Sequence, residues 1–323
     1  MLPRKIYTIL ICVAVTVAGC GSGPEDPDTS QNENRNDSAF KVSINVSGSL
    51  QNSAWSPDGG SILLTRFENG YNQEPADLFV IDLSDNSVRT LVSNSTANVN
   101  LPGSVWNADT NMIVFSSSRE PHDEIYKIDE DGVSGEEIRV TNRSDKVAYE
   151  PSFSPDGEWI VFESHLVDVE IEGVITKYRV DGSGTYEALT DAGDDCRQPN
   201  WSPAGDLILY QRYTGGQWDI WVMNTDGSGQ TKVTTGAGDK TDASFSPDGQ
   251  WIVYSSDQDG LDYANLFVLP VAGGNTVRVT NFNGYDGAPS WSPDGNRISF
   301  ESCQGDPDES QGTSIWIVDV PEL

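Results

Sequence analysis

Two histidines, four cysteines and fifty carboxylates are the side chains with which this 323-residue chain could do chemistry. A serine nucleophile needs a base beside it, and α/β-hydrolases present theirs in G-x-S-x-G, a pentapeptide that occurs nowhere in the chain. His122 and His165 stand in polar stretches with no prepared serine near them and no Cys or His partner at zinc spacing. The carboxylates are the richer set. Asp129-Glu130-Asp131-Gly132 and Asn224-Thr225-Asp226-Gly227-Ser228-Gly229 have the look of calcium loops but lack the EF-hand length and its closing Glu. A second set precedes recurring aromatics. Glu150 and Asp242 stand three residues ahead, Asp286 five ahead, and Asp194 and Asp195 a few residues before Trp201. Hard cations, or the cationic groups of a protein, are what grouped carboxylates would hold.

Those aromatics belong to a repeat that must position the acids. FSPDGEWIVFES at 153–164 returns as FSPDGQWIVYSS from Phe245 and WSPDGNRISFES from Trp291. Trp55, Phe153, Trp201, Phe245 and Trp291 each precede a turn signal, and Trp106 fills the slot in a degenerate copy, VWNADTNMIVFSS. The spacings are 51, 47, 48, 44 and 46 residues, the period of a propeller blade, and six anchors mean six blades. In each unit strand A ends at the aromatic. Pro-Asp-Gly makes the A–B turn, and strand B is a β-branched and aromatic run. Strand C reads DLFVID, EIYKID, YRVD, DIWVMN, NLFVLP or SIWIVD, and strand D ends in segments such as RVTN or KVTT. No segment sustains a 3.6-residue period, so almost no helix is expected.

One small sheet cannot bury both of its faces; stacking six around an axis does. The fold class predicted is therefore all-β: a six-bladed β-propeller of four-stranded blades. The aromatics read as core between blades. Both calcium-like stretches fall on C–D turns, where Asp-Gly serves hairpin geometry. The sixth unit stops after SIWIVDVPEL without a strand D, while FKVSINV at 40–46 alternates like a strand with no unit of its own. It is expected to complete the last blade and close the ring.

On such a ring the D–A and B–C loops open on one face, around one mouth of the central channel. Glu150, Asp194, Asp195, Asp242 and Asp286 are the candidate binding residues there. Further acids come from the B–C loops: Glu120, Asp123 and Glu124; Asp168, Glu170 and Glu172; Asp257, Asp259 and Asp262; Asp306, Asp308 and Glu309. No cofactor is required by this reading, but Ca²⁺ could be held by oxygen ligands alone. Cys196 and Cys303 fall on blades that are not neighbours. A bridge needs Cα atoms within about 7 Å, so geometry disfavours one; only the loop 303–313 could bring them close.

The first residues read as an export leader. Arg4 and Lys5 precede the apolar run 6–18, which is too short to span a bilayer comfortably. Val17-Ala18-Gly19-Cys20 resembles a lipobox, with Cys20 the lipidation site, and Gly21 in the next position favours the outer membrane. Residues 20–39 are Gly-, Pro-, Asn- and acid-rich and are expected to be a disordered tether. The formal net charge is −31; without the leader's two bases it is −33, 17 Lys+Arg against 50 Asp+Glu. Nucleic acid is excluded as a partner, because phosphates need a basic footprint.

SPDG blades that end in a [VL]-T dipeptide resemble the PD40, or WD40-like, repeats of the TolB C-terminal propeller, a motif class shared with tricorn and dipeptidyl-peptidase propellers. The resemblance covers roughly 40–323 and implies a lipoprotein form without the α/β domain that precedes the TolB propeller. It further implies a non-catalytic role at the cell envelope, binding a protein or peptide partner. Two readings stand beside it: a propeller enzyme acting on glycans or peptides, and a structural subunit of an envelope assembly. Oligomeric state is left open.

Overall fold

The computed structural model describes residues 35–93, 98–100, 105–167, 169, 172–308 and 310–323. The leader, Cys20 and most of the tether lie outside the described residues, as do Asp168, Glu170 and Glu309.

Six antiparallel sheets follow one another along the chain. Blade one holds β2 Ser49–Trp55, β3 Ser61–Phe67, β4 Ala76–Asp82 and β5 Val88–Val92. In blade two the inner strand is split into β6 Val99–Asn100 and β7 Trp106–Asn107, followed by β8 Met112–Ser117, β9 Glu124–Asp129 and β10 Ile138–Arg139. Blade three is β11 Lys146–Phe153, β12 Trp159–Leu166, β13 Val174–Arg179 and β14 Glu187–Ala188. Blade four is β15 Asp195–Trp201, β16 Leu207–Thr214, β17 Gln217–Asn224 and β18 Thr231–Lys232. Blade five is β19 Lys240–Phe245, β20 Trp251–Ser256, β21 Asn265–Pro270 and β22 Val277–Arg278. Blade six takes β23 Tyr285–Trp291, β24 Arg297–Cys303 and β25 Ser314–Asp319 from the end of the chain, and β1 Phe40–Lys41 from its start. A single 3₁₀ turn, Gln258–Gly260, is the helical content of the described residues.

The core lies between the sheets. Each aromatic anchor packs on the blade before it: Phe153 with Ile113 and Phe115, Trp201 with Val161 and Ile175, Phe245 with Leu209 and Ile220, Trp291 with Val253 and Leu266, and Trp55 with Ile315 and Ile317. Burial of such a side chain contributes roughly 1.5–3 kcal/mol, so every interface is stabilised by its neighbour and no blade is self-sufficient. Trp106 occupies the expected register, opposite Ile113, but is only partly buried and donates its indole N–H to Glu130 at 2.8 Å.

The repeated words of the sequence are hydrogen-bonding devices. In SPDG the Ser hydroxyl donates to the Asp two residues on and accepts the N–H five residues on. Ser246 does so with Asp248 at 2.6 Å and Trp251 at 3.0 Å, and Ser292 with Asp294 and Arg297 at 2.6 and 2.9 Å. Blade four has Ala204 in place of the Asp, and Asp206 takes the bond from Ser202 instead. The turn glycine is required twice over. Gly59 has φ +73°, and a Cβ there would sit 3.2 Å from Pro293 of the neighbouring turn. At the outer edge the [VL]-T threonine accepts an N–H from strand C: Thr141 from Ile125, Thr190 from Ile175, Thr234 from Ile220 and Thr280 from Leu266, at 2.8–3.0 Å. These bonds fasten outer strands only two residues long.

Closure of the ring is as expected, though by a shorter strand. Phe40 pairs with Ile317 and Lys41 with Trp316, and Val42 N–H adds a bond to the Ile315 carbonyl. Beyond that, Val42, Ile44 and Val46 spend their alternation on the apolar cluster between blades six and one rather than on strand pairing. The fold also begins earlier than composition suggested. Arg35, assigned above to the tether, has a side chain only 2% exposed, forms two bonds to Asp286 at 2.8 and 3.0 Å, and lies over the rings of Phe282, Phe300 and Trp316.

Candidate binding site in the central channel

Strand A of five blades breaks register at the same place, between Gln51 and Ala54, Tyr149 and Ser152, Arg197 and Asn200, Thr241 and Ser244, and Gly287 and Ser290. Within each break one residue has a left-handed backbone: Asn52, Glu150, Gln198, Asp242 and Ala288, with φ 46–54°. A bulge of this kind costs about 1–2 kcal/mol at a non-glycine residue and re-aims it. Here the five converge. Asn52, Gln198, Asp242 and Ala288, from blades one, four, five and six, line one cavity of about 30 Å³, and blades one and four can meet only at the ring axis. That is room for a water molecule or two.

Carboxyls dominate the axis. Gln198 donates to Asp242 at 2.7 Å and to Glu150 at 3.3 Å, and accepts the Asp242 N–H at 3.1 Å. Glu163 lies beside Glu150 and is repelled by it. Glu301 accepts the phenols of Tyr71 and Tyr285 on one oxygen, each at 3.2 Å, and the Asn52 N–H on the other. Arg197, 3.8 Å from Glu163, is a nearby cation, but it is shared with Asp195 at 2.9 Å. Burial, then repulsion from Asp242, pushes Glu301 up to about 8. Burial also raises Glu163, Glu150 and Asp242, and charge repulsion adds to it for the first two. The axis is therefore a buried acid cluster whose carboxyls hold their protons more tightly than free ones do.

The acids expected at the mouth are distributed otherwise. Glu150 and Asp242 do face the axis, but inside it rather than at the rim. Asp286 lies between blades under Arg35. Asp194 pairs with Arg212 at 2.6 Å, whereas Asp195 shares Arg197 with Glu163 and adds to the repulsion that raises it, so of these three only Asp195 reaches the axial cluster. Glu124, expected in a loop, opens strand β9, fully buried, and accepts from Arg139, Thr141 and the Arg143 N–H. Among the described residues no three His, Cys, Asp or Glu side chains form a group that could hold a metal ion. Cys196 and Cys303 are free and buried, each thiol pushed up to about 12 by burial. His122 bonds the Arg143 carbonyl at 2.5 Å and His165 the Leu166 carbonyl at 3.0 Å.

Asn52, Gln198, Glu163, Glu301, Tyr71 and Tyr285 were not anticipated. A signal existed for the first two: they occupy the same column as Glu150 and Asp242, three residues before the aromatic. Reading the column in every blade would have found them. The column five residues ahead is Leu50, Ala148, Cys196, Lys240 and Asp286, all buried between blades. In a regular strand the two columns would share a face; the bulge separates them, and for that reason Asp286 was misplaced.

The family model for the TolB beta propeller domain (PD40) matches residues 34–219 and 183–298. The chain belongs to the TolB beta propeller family. A curated relative, an uncharacterised protein of Agrobacterium fabrum, is 30% identical over 167 residues, 49% of this chain and 53% of that one. A protein TolB homolog of Chlorobium luteolum is 31% identical over 167 residues, 51% of this chain and 35% of its own. The chain thus spans about half, or less, of the length of these relatives. A solved structure described as TolB from Agrobacterium tumefaciens is 22% identical, covers 84% of this chain and 91% of its own, and has a TM-score of 0.62, which shows a shared fold.

Proposed function

We propose that this TolB-family propeller is a non-catalytic envelope lipoprotein, anchored through Cys20, that binds a protein partner at the channel face carrying the B–C loops. The observation that carries the reading is the axial cluster: Glu150, Glu163, Asp242 and Glu301 face one another with Arg197 as the cation acting on the first two. Such a site favours an extended basic segment, and a net charge of −31 steers it in. The TolB names of relatives, and a leader with a lipobox, support an envelope setting. Ca²⁺ has no part in the proposal, and the histidines offer no nucleophile chemistry.

The test is retention of envelope proteins on the immobilised chain. A partner that elutes with moderate salt, and is lost by Glu301→Gln or Asp242→Asn, supports the reading; a partner held equally by both variants sinks it. For the anchor, Cys20→Ser should move the protein from the membrane to the soluble fraction.

A further inference from the structure

We propose that the loop Glu68–Pro75 of blade one is a hinged flap over the channel, latched by Tyr71, and that a lysine side chain of the bound segment takes the place of the Tyr71 phenol on Glu301. The proposal deepens the channel reading above and rests on it for the identity of the occupant.

Loop length is the first argument. Strands B and C of blade four are joined by two glycines, with Thr214 paired to Gln217, so two residues suffice at this corner. Blade one uses the eight residues from Glu68 to Pro75 between the paired Phe67 and Ala76. The excursion is tied mostly to itself. Glu68 N–H bonds the Pro75 carbonyl, Gln73 N–H the Gly70 carbonyl, and Asn69 the Glu74 carbonyl at 2.6 Å. Glu68, Asn69, Asn72 and Glu74 are exposed. Against the body it makes two weak side-chain contacts, Arg66 to Glu68 at 3.8 Å and Ser118 to Glu74 at 3.5 Å.

Tyr71 is the exception. Gly70 at φ +131° and Asn72 at φ +54° turn the chain on either side of it. Its ring meets Tyr285 edge-on at 6.5 Å, and its hydroxyl donates to Glu301. Glu301 has three donors, and two of them, Tyr285 and the Asn52 backbone, belong to inner strands of the ring. The phenol of Tyr71 is the donor carried on a loop. Lifting it vacates one of the two places on that Glu301 oxygen while Tyr285 keeps the other, and an incoming ammonium restores the lost bond as a charge-assisted one, the stronger kind.

Two measurements test this. Tetranitromethane nitration, read by mass spectrometry on the native chain, should modify Tyr71 at least about tenfold faster than Tyr285, because a local opening exposes one and only global opening exposes the other. Equal rates overturn the flap. Calorimetry with tri-lysine then addresses the occupant. Tyr71→Phe removes one competing hydrogen bond and should tighten binding about fivefold, the equivalent of about 1 kcal/mol, while Glu301→Gln should abolish it. Unchanged affinity in Tyr71→Phe with loss in Glu301→Gln overturns the flap and leaves the channel reading standing. Affinity unchanged in both variants overturns the channel reading itself, with the nitration contrast still deciding the flap.

Discussion

Arg35 carries more of the fold than any residue near it in sequence. Its guanidinium faces Asp286 and Asp37 and lies among three aromatic rings, and Asp286 has no exposed surface. Removing one partner of such a pair leaves a buried charge, which costs about 3–5 kcal/mol. Arg35→Ala should therefore lower the denaturant midpoint steeply, and adding Asp286→Asn should recover part of the loss; a small effect of Arg35→Ala would show that the segment is not docked in solution. Titration gives a second prediction at this scale. Glu301 is raised in the folded state, so the folded chain binds a proton that the unfolded chain gives up near pH 4.5. Its contribution is fully present below that and is lost as pH rises through about 8. The turn aspartates act oppositely: Ser292 and the backbone and side-chain N–H groups of Asn296 hold Asp294 down to about 2, and Asp58, Asp156 and Asp248 are likewise lowered by their serines. Their contribution is present above the ordinary aspartate range and is lost as pH falls through it. The melting temperature should peak near pH 4–5 and decline toward pH 9, and Glu301→Gln should flatten the upper part of that decline.

At the level of strands and turns, the repeat was legible because each of its words has a local duty. Ser-Pro-Asp-Gly builds its turn with its own side chains, so the motif announces the turn wherever it stands. Ser154→Ala removes the bonds to Asp156 and to the Trp159 N–H and should cost about 1–2 kcal/mol, read as a shift in urea midpoint with an unchanged slope. Thr280→Val, which strips the acceptor for the Leu266 N–H at the edge of blade five, should cost a similar amount. What sequence did not disclose was the bulge. Glu150 and Asp286 look alike on paper, two acids shortly before an aromatic, but a single left-handed residue sends one to the axis and buries the other between sheets. Tyr71 was equally invisible, because its partner Glu301 lies 230 residues away and no local pattern links them.

For the whole ring, architecture followed from period alone, since six units of about 47 residues leave few other ways to cover twelve sheet faces. Function did not, because the site is made where five of the blades meet and no single unit contains it. The excess of acid gives one prediction here. Like-charge repulsion across the surface opposes compaction and is screened over about 10 Å at 0.1 M salt. Raising NaCl from about 0.02 to 0.2 M should therefore raise the melting temperature of the wild-type chain; a fall would mean that the surface ion pairs outweigh the repulsion. The seam of blade six has a temporal consequence. Phe40 and Lys41, in the first strand of the propeller to be synthesised, find their partners on β25. The earliest part of the propeller has nothing to pair with until β25 has been made. A nascent chain of this kind stays an open arc through the synthesis of five blades and becomes a ring only when its sixth is complete.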